Sequence, residues 1–155
     1  MNRKTIFFIG LLIGSFFCNA AQAQVVWGEV NLLFAFEHDY VIVADDPKAE
    51  AEIVCHGVEI DFFEVDVKED MAEEMAIWTV EYAEMELELD VVGQVHLMDV
   101  DGMDAAWVQV ERNDDPFILI GIYDEDRDAH GYFLVDYEED EEEEVLHLIR
   151  TLRRG

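Results

Sequence analysis

The stretch QVHLMDVDGMDAAWVQVERNDDPFILIGIYDEDRDAHGYFLVDY (residues 94–137) decides the fold. Four runs rich in β-branched and aromatic residues, QVHLMDV (94–100), MDAAWVQVE (103–111), PFILIGIY (116–123) and GYFLVDY (131–137), are separated by Asp101-Gly102, Asn113-Asp114-Asp115 and the segment 124–130. Strand-forming runs broken by such turn signals read as an antiparallel meander. Taken as a two-residue type I′ turn, Asp101-Gly102 pairs Val100 with Met103, sets Asp99 opposite Asp104 and puts His96 opposite Trp107. FILIGIY and YFLV are apolar at successive positions, so these strands are expected to be central and covered on both faces.

Helices flank the meander. Met71, Met75, Trp78, Tyr82 and Met85 recur at spacings of four, three, four and three, which places them on one face of a helix over 69–86. Asp66 and Glu69 form its expected capping pair. The acidic run 138–144 opens a second helix over 139–153 with the apolar stripe Val145, Leu148, Ile149 and Leu152. Arg150, Arg153 and Arg154 close it, so its acids and bases match the helix dipole.

Before the first helix come a strand at 39–44 and a hairpin, 50–55 and 58–67, turning at His56-Gly57. The apolar set changes phase at Phe62-Phe63, which predicts a bulge. Leu87, Leu89 and Val91 alternate as a short strand does. VVWGEVNLLFAF (25–36) has no clean period and stays open between helix and strand. The sum is one α+β domain: a twisted antiparallel sheet, made of an N-terminal hairpin and a central meander, packed by helices 69–86 and 139–153.

The amphipathic helix at 69–86, the hairpin DVDGMDAAWVQVE (99–111) and the closing VLHLIRTLRR (145–154) resemble, in that order, the PsbP/Mog1-like domains, including small secreted bacterial relatives. The resemblance covers nearly all of the chain after its leader and implies a non-catalytic accessory or binding module. It places no functional residue.

Arg3 and Lys4, the apolar segment 6–17 and Ala21-Gln22-Ala23 form a signal peptide, with cleavage expected after Ala23 and a single domain over 24–155. The apolar segment is too short to span a bilayer. Cys18 leaves with the leader, so Cys55 is left as one free thiol and no internal disulfide forms. No N-x-S/T sequon occurs. The protein is expected in the periplasm or outside the cell, with a protein partner there and no membrane span.

With 38 Asp and Glu against nine Lys and Arg, the formal net charge is −29. Phosphate backbones and anionic lipid repel such a chain, which argues against nucleic acid and leaves cations or basic protein surfaces. Solubility or salt adaptation explains the same acidity without a partner.

The leader's Ser15 is the sole serine, and Thr79 and Thr151 are the only threonines after the leader. Serine and threonine nucleophiles therefore have nothing to stand on. Cys55 and His56 are adjacent, so in a strand they point to opposite faces. No H-x-x-x-H, C-x-x-C, P-loop or G-x-G-x-x-G occurs. An enzyme remains only as a third reading, with a site assembled from distant residues.

The alternative function is low-affinity calcium binding. Asp124, Asp126 and Asp128 form a D-x-D-x-D loop able to converge oxygens, although Ala129, Val135 and Arg127 depart from an EF-hand. The second candidate is Asp99, Asp101 and Asp104. Like charges directly opposite are destabilising, so a cation, a longer turn or simple exposure must relieve Asp99 and Asp104. No other cofactor is expected.

Overall fold

The computed structural model describes residues 21–36, 41–43, 51–55, 57–65 and 74–155. Residues 1–20 of the signal peptide expected over 1–23, with Asp66, Glu69, Met71 and His56, lie outside them, while Ala21–Ala23 lie inside. Among the described residues no helix is long and apolar enough to cross a membrane.

The undecided segment 25–36 is a hairpin, β1 (Ala21–Trp27) and β2 (Val30–Phe36). Ala23, Val25, Trp27, Val30, Leu32 and Phe34 are buried, a strict period of two. Apolar Val26, Leu33 and Ala35 occupy the half-buried positions between them and hide that period in the sequence.

The second sheet is eight-stranded and antiparallel, in the order β3 (Val41–Val43), β4 (Ala51–Cys55), β5 (Val58–Val65), β10 (Ala129–Asp136), β9 (Asp115–Asp124), β8 (Met103–Arg112) and β6 (Asp90–Val91), with β7 (His96–Val100) also on β8. The expected meander is therefore its central body. Asp101 and Gly102 have φ of 52° and 88°, and Asn113 and Asp114 of 51° and 65°, so both tight turns take positive φ at both central positions as type I′ requires.

Both faces of the meander are covered, as FILIGIY and YFLV predict. On one face Trp27 and Phe34 of the small sheet meet Phe62 and Phe133, with edge-on ring pairs at 5.5 Å (Trp27–Phe62) and 5.1 Å (Phe34–Phe133). Helix α2 (Glu142–Arg150) adds Val145, Leu148 and Ile149 to this core. On the other face lie α1 (Met75–Glu81) and the π-helical turn Tyr82–Glu86. Met75 and Trp78 pack on Ala106, while Ala83 packs with Val108, Leu119 and Tyr132. Gly121 permits the approach of α1, because a Cβ there would lie 2.5 Å from the Thr79 hydroxyl and 3.0 Å from the Trp78 ring.

Three expectations are corrected. Met85, placed on the buried stripe, is 74% exposed. The π turn, with Leu87 N–H donating to Tyr82 C=O at 3.1 Å, advances each residue by less than an α-helix does. Met85 rotates outward and Ala83 takes the buried place. There is no bulge at Phe62-Phe63, since the β5–β10 register runs unbroken from Glu59↔Asp136 to Val65↔His130. The change of phase reflects burial on both faces: Phe62 meets Trp27 and Phe133, and Phe63 stacks on Tyr132. The C-terminal helix is shorter than 139–153. A 3₁₀ turn at Glu139–Glu141 precedes α2, and Arg153–Arg154 leave the helix as β11, paired with Leu33 and Leu32 of β2. Thr151 sets that stop, donating its hydroxyl to Leu148 C=O at 2.6 Å and accepting Ala35 N–H at 3.0 Å.

Candidate functional site

The turn at Asp101-Gly102 places the first acidic trio as its register demands, with Asp99 opposite Asp104 and His96 opposite Trp107. The imidazole of His96 stacks on the Trp107 ring at 4.1 Å, the packing role that the face pattern implies. The three carboxylates do not turn toward one centre. Asp99 accepts Gly102 N–H at 3.0 Å, and Asp101 accepts Arg154 N–H at 2.9 Å. Asp104 stays exposed on β8.

The loop 124–128 forms a 3₁₀ turn, Glu125–Arg127, capped by Asp124, which accepts Asp126 N–H at 3.2 Å. The other Asp124 oxygen is held by Arg127 Nε, and the residue is only 2% exposed. Arg127 also lies over the Trp27 ring at 4.5 Å, so the loop is fastened to the small sheet. Asp128 has φ 48° and accepts the Tyr123 hydroxyl at 2.9 Å. The cation that occupies Asp124 in this fold is a guanidinium.

Another carboxylate group arises from the β4–β5 hairpin. Its two-residue connection pairs Cys55 with Val58 and so sets Glu52 opposite Asp61 and Val54 opposite Glu59. Glu52, Glu59 and Asp61 each offer an oxygen within 4.8 Å of the others, the spacing of a cation site. Burial first, then a hydrogen bond with Glu52 and the charges of Asp61, Glu52 and Asp136, push Glu59 up to about 7. A proton between Glu59 and Glu52 offsets part of that charge. Burial and nearby Asp115 raise Asp136 in the same direction.

A cleft of about 290 Å³ lies between the end of β8, the start of β9 and the approach to α2. Glu111, Asp114, Glu139 and Glu142 give it four carboxylates, and Val92, Val110 and Pro116 give it apolar wall. Gln109 crosses the floor and donates to Glu142 at 2.6 Å. Burial above all, and then the Glu142 charge, raise the Tyr137 hydroxyl, with a Gln109 hydrogen bond acting against them. The described lining holds no serine, cysteine, histidine or lysine. Such a cavity attracts a positive group.

Neither this cleft nor the Glu52 group was among the sites expected from sequence. The Glu52–Asp61 pairing follows from the His56-Gly57 turn and was within reach. The cleft joins residues far apart in the chain and has no local signal.

No family model matches the chain, and no curated protein matches its sequence. Its fold matches the solution structure of cyanobacterial PsbP (CyanoP) from Synechocystis sp. PCC 6803, with a TM-score of 0.58 over 91% of this chain and 98% of that one. The fold is PsbP-like. At 10% identity the match carries the architecture and no site residue.

Proposed function

We propose that this PsbP-like protein is an exported, non-catalytic accessory domain that binds a basic segment of a partner protein. The acidic cleft carries the reading: four carboxylates share its lining with apolar wall, and no basic side chain stands among its described residues. The fold supports an accessory role, since the domains it resembles act mostly as non-catalytic modules. The leader supports export, and cleavage after Ala23 would leave a chain that begins at Gln24, with β1 shorter by Ala21–Ala23.

The test is binding of a blocked lysine-rich octapeptide, followed by titration calorimetry. Glu111→Gln with Glu139→Gln should weaken it about tenfold at low salt, because each carboxylate adds Coulomb attraction that ions screen. Equal affinity for the double variant and the natural chain would refute the cleft as the site. Intact mass of the exported protein checks the leader, with a start at Gln24 expected.

Calcium at 124–128 stays a second reading on the strength of the loop's three aspartates. It requires Arg127 to release Asp124.

A further inference from the structure

We propose that the outer edge of β7 is a docking strand, which takes up an extended basic segment of a partner protein by adding it to the sheet. This rests on the reading above and gives the basic partner a second point of attachment. Among the described residues β7 pairs with β8 alone. In a two-residue hairpin the pair flanking the turn, Val100↔Met103, is hydrogen-bonded, and so are Met98↔Ala105 and His96↔Trp107. Leu97 and Asp99 therefore direct their backbone N–H and C=O groups away from β8.

Open edges are normally blunted by charged side chains, lysine above all, by proline or by a bulge. β7 has no lysine or proline, and its register with β8 is unbroken over all of its length. Leu97 is 75% exposed on this edge. It stands opposite Ala106, on the sheet face where Met75 and Trp78 of α1 pack, and Ile77 of that helix is itself 47% exposed. A single exposed leucine is ordinary on a protein surface. One beside backbone groups that have no partner among the described residues, on an edge whose one carboxylate is Asp99, is a template for strand addition.

Charge selects the occupant. Asp99 follows Leu97 on the same face and is opposed by Asp104, two like charges side by side. An added strand with an apolar residue beside Leu97 and a lysine or arginine two positions along would cover the leucine and relieve the aspartates. A second copy of this chain is a poor occupant, since it would bring the same Asp99 and a net charge of −29 to the edge.

The probe is an end-blocked octapeptide alternating threonine with leucine and lysine in turn, together with the same peptide N-methylated at every second amide. N-methylation keeps the charge and removes the donors that a ladder needs. Calorimetry should show binding that falls about tenfold on N-methylation and about tenfold for Leu97→Pro, whose missing N–H faces outward and costs β7–β8 no bond. In the natural protein, amide exchange at Leu97 and Asp99 should slow when the plain peptide is added, a measurement independent of whether the proline variant folds. Equal affinity of the two peptides, or unchanged exchange at both amides, overturns the proposal. Loss of binding with the Glu111→Gln and Glu139→Gln variant but not with Leu97→Pro or N-methylation would leave the cleft standing and remove the edge. No binding of either peptide to the natural chain overturns both.

Discussion

Glu59 shares its surroundings with Glu52, Asp61 and Asp136, and burial with these charges raises it to about 7. The sign follows from linkage. Between the ordinary glutamate value of 4.5 and about 7 the folded chain holds a proton that the unfolded chain releases, so this group loses stability as pH rises through that window. His130, buried between Trp78 and Tyr123, is lowered by burial and acts oppositely, costing stability as pH falls below its ordinary 6.5. Glu59→Gln should therefore raise the melting temperature at pH 8 more than at pH 5; an equal shift at both refutes the shared proton. At the loop, Arg127→Ala leaves Asp124 buried without its partner and should cost about 2–3 kcal/mol in urea unfolding. Millimolar calcium should move the melting temperature of the natural chain no more than sodium chloride of equal ionic strength does while Arg127 holds Asp124. A calcium-specific rise that Asp126→Ala abolishes would instead restore the calcium site. The Asp99–Asp104 juxtaposition was legible because a two-residue Asp-Gly turn fixes register. The Arg127–Asp124 pair was visible only as an obstacle to metal, since its meaning depends on Trp27 in another sheet.

At the level of elements, the four meander strands were legible to within a few residues, because tight turns with positive φ announce themselves in Asp-Gly and Asn-Asp. The hairpin β1–β2 was not, because apolar side chains on its outer face erase the alternation. Phe62-Phe63 misled for a related reason: a strand buried on both faces has no phase to read. The π turn defeats helical periodicity outright, since the stripe through Trp78 and Tyr82 loses its step at Met85. Two substitutions separate the packed face of this helix from its exposed one. Gly121→Ala pushes a methyl into Thr79 and Trp78 and should destabilise by about 1–3 kcal/mol. Met85→Ser should change stability by no more than about 0.5 kcal/mol. A large loss at Met85 with none at Gly121 would mean that the helix packs on its other face.

The whole molecule is three layers, a small sheet with α2, the large sheet, and α1 with its π turn. Layering of this kind was foreseeable once the meander read as apolar on both faces, although nothing local said that a second sheet would cover one of them. A chain with net charge −29 repels itself, so sodium chloride should raise its melting temperature as calcium chloride does at equal ionic strength, and a flat response to sodium would show that the acids are already compensated. The pairing of Arg153 and Arg154 with β2 joins segments from opposite ends of the sequence in one sheet. That fixes an order of events. Long-range pairings of this kind close late, so the small sheet is finished only when β11 reaches β2. Until that contact forms, the edge of β2 that carries Leu32 and Leu33 is open to any other strand.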